Sequence, residues 1–144
     1  MNKVWQILKV KGSQVWTISK DSTVLEALKL LAEKQVGALV VMDDKQVVGI
    51  FSERDYARKG VLIGKQAEST RLKEVMTKDL ITVTPEHSVQ ECMALMTDRR
   101  IRHLPVFEGD QLVGLVSIGD IVKDMIEELE FMVSQLEKYI TSSR

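Results

Sequence analysis

The sequence predicts a mixed α/β (α+β) fold: two β-α-β-β-α repeats packed as one pseudo-two-fold pair, with extra helices on the N- and C-terminal sides. Three observations predict it. A skeleton of glycine, two apolar residues, serine, two variable residues and aspartate occurs twice, as GIFSERD at 49–55 and GLVSIGD at 114–120, 65 positions apart. Around it the halves run in register without gaps, from Thr17 against Thr82 to Lys59 against Asp124, with identical pairs such as Val24/Val89, Leu39/Leu104 and Val48/Val113. The apolar pattern also changes in the same order in both halves, from helical spacing to two short runs about a polar turn.

Each element follows from its residues. A short strand comes first, Val15–Ile18 in one half and Leu80–Val83 in the other, then a turn at Asp21–Ser22 or Pro85–His87. Val24, Ala27, Leu28 and Leu31, and again Val89, Cys92, Met93 and Met96, follow the i, i+3, i+4, i+7 spacing of one helix face. Thr23 and Ser88 stand where N-caps belong. The runs ALVVM and VVGIF, and HLPVF and LVGLV, flank the turns Asp43–Lys45 and Glu108–Asp110 and read as hairpins. A final helix opens near Asp55 or Asp120.

Such a half is too small to bury a good core alone, so the two halves are expected to pack together. A lead-in helix (VWQILKVKG, then LKEVM) precedes each half, and residues 58–78 connect them through the polar tract Lys65–Arg71. The expected segments are 1–14 (lead-in), 15–71 (first repeat with linker), 72–124 (second repeat) and 125–144 (C-terminal helix). Residues 121–140 are strongly amphipathic and carry more apolar face than one half can cover; a second chain or the N-terminal helix is expected against them.

Composition excludes several classes. With 144 residues and a net charge of −1, the chain has no basic footprint for nucleic acid and no clustered cations for a polyanion or membrane surface. No stretch approaches the roughly 20 apolar residues of a membrane span, and the first residues are too polar for a secretion signal. The single cysteine, Cys92, permits no internal disulfide and fits a reducing compartment, so a cytoplasmic location is expected.

The repeated β-α-β-β-α unit, the HLPV strand start and the twofold G-h-h-S-x-x-D ending resemble a tandem pair of cystathionine-β-synthase (CBS) domains, over roughly residues 15–125. The resemblance implies a stand-alone regulatory module that senses AMP, ATP, NAD(H) or S-adenosylmethionine in two clefts between the repeats. It also implies a disc-like homodimer and an effector protein of unknown identity as partner. No catalytic cofactor is implied.

An ionised carboxylate can accept hydrogen bonds from both ribose hydroxyls, which suits Asp55 and Asp120, with Ser52 and Ser117 three residues earlier. The same Ser-x-x-Asp arrangement is also a plain helix cap. Family placement puts Arg102 and His103 on phosphate, and Arg54 and Arg58 flank the first aspartate as further cations. The cleft of Asp55 is expected to use Leu80, Ile81 and Thr82 about the base, with Arg102 and His103. The cleft of Asp120 is expected to use Val15, Trp16 and Thr17, with Gly37 and Ala38, which leave room but bring no charge. AMP is therefore expected at the first cleft, and the two clefts should differ. Trp16 reads equally as core packing.

Catalysis is not expected. His87, His103 and Cys92 have no metal-ligand spacing, no Walker-type loop is present, and Cys92 lies on an apolar face where a thiol is inert. The alternative to a sensor is a ligand-free structural dimerisation module whose aspartates only cap helices.

Overall fold

The structure, a computed structural model, describes residues 2–142; Met1, Ser143 and Arg144, the outer ends of the expected first and last segments, lie outside the described residues. The elements run α1 (Val4–Lys11), β1 (Thr17–Ser19), α2 (Val24–Lys34), β2 (Ala38–Asp43), β3 (Gln46–Ser52), α3 (Glu53–Lys59), a 3-10 turn (Val61–Ile63), α4 (Leu72–Val75), α5 (Val89–Arg99), β4 (His103–Glu108), β5 (Gln111–Ser117) and α6 (Ile118–Ser142). They form two compact units, residues 14–81 and residues 1–13 with 82–144.

In the unit of residues 14–81, β1 runs parallel to β2 and β2 antiparallel to β3. Thr23 caps α2 by accepting the Glu26 N–H, as its position before the apolar face predicts. The apolar face of α2 (Val24, Ala27, Leu31) closes over Leu39, Val41 and Phe51 of the sheet, with Leu72, Val75 and Met76 completing the core. Burying such side chains contributes roughly 1.5–3 kcal/mol each, which is what holds a unit this small together.

The other unit repeats the plan. Val89, Cys92 and Met96 of α5 are buried, as are Leu104 and Val106 of β4 and Val116 of β5. The smaller Val116 stands where the first repeat has Phe51, the larger Cys92 stands for Ala27, and Met96 matches Leu31 in volume, so some bulk moves from sheet to helix. The hairpins share a bulge at the same place, after Val41 and after Val106.

The expected strand Leu80–Val83 is reduced to one parallel bridge, Val83 to Val106. In the first repeat the Val40 N–H donates to the Trp16 carbonyl at 3.1 Å. The residue at that place in the second repeat is Pro105, which has no N–H, so a rung of the ladder is missing.

The lead-in helices are exchanged. Each was expected to open the half that follows it, yet α4 packs within residues 14–81 and α1 packs with residues 82–144. The same bonds anchor both. Leu72 and Lys73 N–H donate to Ser22 and Lys20 carbonyls at 3.0 and 3.1 Å, while Val4 and Trp5 N–H donate to His87 and Pro85 carbonyls at 2.9 and 3.1 Å. In return, Val24 N–H donates to the Thr70 carbonyl and Val89 N–H to the Asn2 carbonyl. Residues 72–81, grouped with the second repeat in sequence, thus lie with the first.

Each lead-in also rests on the skeleton glycine. A Cβ on Gly49 would meet Met76 Sδ at 2.6 Å and the Thr77 carbonyl at 2.9 Å, and one on Gly114 would meet Leu8 Cδ2 at 2.7 Å. The glycines therefore make room for the lead-in helices. Helix α6 starts at Ile118, where an opening near Asp120 was expected, and Ser117 Oγ accepts the Asp120 N–H in its first turn.

Candidate functional site

Both Ser-x-x-Asp corners form where a hairpin strand turns into a helix. At the first, Ser52 Oγ accepts the Asp55 N–H, and Asp55 Oδ2 accepts the Ser52 N–H at 2.9 Å. At the second, Ser117 Oγ accepts the Asp120 N–H at 3.1 Å and Asp120 Oδ2 accepts the Ser117 N–H at 2.8 Å. These are capping boxes: two otherwise unpaired N–H groups are satisfied, and the carboxylate sits at the positive end of the helix. The Asp55 and Asp120 side chains are only 18% and 22% exposed, so each carboxylate is held in one orientation instead of being solvated freely.

The corners differ in what else the carboxylate meets. Asp55 Oδ1 accepts from the Thr77 hydroxyl at 3.1 Å and lies 3.8 Å from Lys59 Nζ. Asp120 Oδ2 accepts from Lys11 Nζ at 2.6 Å, and the same ammonium donates to the Leu115 carbonyl at 2.9 Å. Burial works to raise the Asp120 pKa, but the hydrogen bond from Lys11, the Ser117 N–H and the Lys11 charge together hold it below the ordinary carboxylate value. Thr77, Lys11 and Lys59 were not among the expected site residues. Thr77 and Lys11 belong to the lead-in segments, whose attachment to the opposite repeat a one-dimensional alignment does not reveal.

Within each unit the hairpin register brings further expected residues together. His103 stands opposite Ser117, and the Ile118 N–H donates to the Arg102 carbonyl at 2.8 Å. Ala38 stands opposite Ser52, with Gly37 just before it. Arg102 and His103 thus share a hairpin with Ser117 and Asp120, and Gly37 and Ala38 share one with Ser52 and Asp55. Arg54 is half-buried and Arg58 exposed on α3; Leu80 and Ile81 are half-buried and Thr82 exposed, with no regular strand among them.

Val15 and Trp16 are half-buried and Thr17 exposed at the start of β1. Trp16 packs against the core of its unit, and Lys34 Nζ sits over its ring at 4.4 Å from the centroid. A base stacking on that face must displace Lys34.

The residues weighed for catalysis are otherwise engaged. His87 Nδ1 accepts the Thr84 N–H at 2.9 Å in a turn. Cys92 is fully buried, and burial pushes its thiol up to about 11, where it is a poor nucleophile. Among the described residues no three His, Cys, Asp or Glu side chains are grouped to hold a metal ion, and no helix is long and apolar enough to cross a membrane.

Residues 10–61 and 72–127 each match the family model of the CBS domain. The chain is similar to the mitochondrial CBS domain-containing protein CBSX3 of Arabidopsis thaliana, at 42% identity over 134 residues; the match takes in 90% of this chain but 65% of that protein, just under two thirds of its length. Among solved structures it is similar to a protein with CBS domains from Burkholderia ambifaria MC40-6, with a TM-score of 0.85 and 49% identity across 88% of this chain and 95% of that one. The CBS domain pair of protein MJ0100, solved in complex with 5′-methylthioadenosine and S-adenosyl-L-methionine, shares the fold at a TM-score of 0.77 and 24% identity, over 89% of this chain and 98% of that one. Two domain matches covering most of the residues, on a fold that repeats itself element by element, make this chain a member of the CBS domain family, carrying the domain twice in tandem.

Proposed function

We propose that the chain is a regulatory module that binds adenosyl ligands, of the AMP, ATP or NAD(H) kind, and signals nucleotide or redox state to an effector protein. The observation that carries this reading is the pair of oriented, half-buried carboxylates, Asp55 and Asp120, each fixed at a helix N-terminus by a serine three residues earlier. Such a carboxylate suits adjacent ribose hydroxyls, and the helix end favours a nearby phosphate. In this reading Ser52, Asp55, Ser117 and Asp120 take the ribose, while Arg54, Arg58, Arg102 and His103 take phosphate. A fold relative that holds two adenosyl compounds supports the ligand class. The module works as a homodimer, without catalytic chemistry of its own, and its unreactive buried thiol suits the reducing cytoplasm.

One observation favours a second reading, a structural dimerisation module without ligand. The capping boxes already account for one oxygen of each carboxylate.

Calorimetric titration with AMP, ATP, NAD, NADH and S-adenosylmethionine, beside their thermal shifts, separates the two. A ligand specific for the folded chain stabilises it by about 2.7 kcal/mol at a hundred times its dissociation constant. Saturable binding that weakens at least tenfold in Asp55→Ala or Asp120→Ala is the expected result. Absence of binding by all five compounds leaves the structural module.

A further inference from the structure

Helix α6 is 25 residues long, yet Ile121 is its one buried side chain among the described residues, and from Leu129 to Ser142 every side chain is exposed. A helical segment of that length, exposed on every side, is marginal in water. It also carries an apolar stripe: Val122, Ile126, Leu129, Val133, Leu136 and Ile140 are 41–61% exposed. Their spacing alternates four and three residues, so every second one recurs after seven (126, 133, 140 and 122, 129, 136), the repeat of a coiled-coil seam and narrower than the face of a helix lying on a core.

We propose that residues 122–140 of two copies of this chain wind into a parallel, in-register, two-stranded coiled coil. In heptad terms the a positions are Ile126, Val133 and Ile140, and the d positions are Val122, Leu129 and Leu136. β-Branched residues at a with leucine at d is the combination that favours two parallel strands over three or four.

The flanking positions take part as well. The e positions hold Lys123, Glu130 and Glu137, and the g positions hold Met125, Met132 and Tyr139. A parallel pair sets each e residue beside a g residue, so Glu130 and Glu137 lie along the methionine side chains of the partner, whose flexible thioethers pack against the glutamate stems. The segment is roughly 28 Å long at 1.5 Å per residue. With Met132 and Tyr139 at 52% and 72% exposure added to the seam, each copy offers surface of the order of the ~800 Å² per partner that a stable interface needs.

The test uses the full chain. Leu136→Cys places a thiol at a d position, where the two copies face one another; Lys138→Cys places one at an f position on the outer side. Under mild oxidation by oxidised glutathione, Leu136→Cys is expected to form a covalent dimer nearly completely and Lys138→Cys to stay uncrosslinked. Cys92 is buried and does not interfere. Absence of a Leu136→Cys dimer, or equal crosslinking of the two variants, overturns the parallel register. In sedimentation equilibrium, Leu129→Lys with Leu136→Lys is expected to raise the dimer dissociation constant at least tenfold, with the thermal transition of the folded units retained. An unchanged dissociation constant overturns the coiled coil itself. Both sites are exposed and far from the buried residues, so the variants keep their fold.

Discussion

The two Ser-x-x-Asp corners use one backbone solution and two electrostatic ones. Asp55 meets a neutral hydroxyl, Thr77, with Lys59 at a longer distance, whereas Asp120 meets the ammonium of Lys11 directly. The neighbouring carbonyls differ in the same sense. Ile50 exchanges both backbone hydrogen bonds with Thr77, while the carbonyl of Leu115, its counterpart 65 residues on, accepts from the Lys11 side chain. Duplication has kept what starts a helix. What surrounds the carboxylate is set by a lead-in segment, which follows Asp55 within 22 residues but reaches Asp120 from 109 residues away, and there the two units have diverged.

The contrast can be tested most strongly at the glycines. Gly49→Ala pushes a methyl into the Thr77 backbone as well as Met76, whereas the nearest atoms to a methyl at Gly114 all belong to the Leu8 side chain. Overpacking of this kind costs about 1–3 kcal/mol, and the first substitution is expected to fall in that range and the second well below it. Equal losses in urea denaturation would mean that the two lead-ins are seated alike.

A smaller effect is expected from Thr77→Val, which removes the hydroxyl bound to Asp55 but keeps the backbone pairing with Ile50. The loss should be about 1 kcal/mol, the usual net worth of a hydrogen bond, and the same denaturation experiment reads it. No loss would show that the carboxylate is held by its cap alone.

The smallest change in stability at neutral pH, below about 1 kcal/mol for a partly exposed ion pair, belongs to Lys11→Met. Its signature lies in pH dependence. The folded Asp120 pKa is below its unfolded value, so its stabilising contribution is complete above the ordinary carboxylate range and is lost as pH falls through the lowered value. Without Lys11 the folded value rises, so the contribution is smaller and its loss is complete at a higher pH. Carboxyl titration by NMR follows it residue by residue, and an Asp120 titration unmoved by Lys11→Met would remove the pairing from the account.

Much of the fold was legible because the signals are local. Thr23 and Ser88 cap the helices they precede, and the hairpins fall where alternating runs flank polar turns. The Ser52–Asp55 and Ser117–Asp120 contacts follow from a three-residue spacing at a strand-to-helix junction. Less legible were features that depend on distant partners. Pro105 shortens the strand ladder at Val83, an effect visible only once Val40 and Pro105 are seen to fill the same rung. Val4, Ile7 and Leu8 match Leu72, Val75 and Met76 in type and spacing, which marks them as equivalent lead-ins. Nothing in that match states that each docks on the other repeat, so Lys11 and Thr77 stayed hidden.

The exchange of lead-ins orders the birth of the molecule. Residues 14–81 are one continuous stretch, and everything their core requires has been synthesised before the second repeat is made. The other unit joins residues 1–13 to 82–144, so its first helix is synthesised before the first repeat and seated only after it. Until Ser88 and Val89 emerge, Val4 and Ile7 have no core to enter, and closing that long gap carries the slow kinetics of distant contacts. Until then the apolar side of α1 waits ahead of the first repeat without its core, a natural handle for a chaperone during that interval.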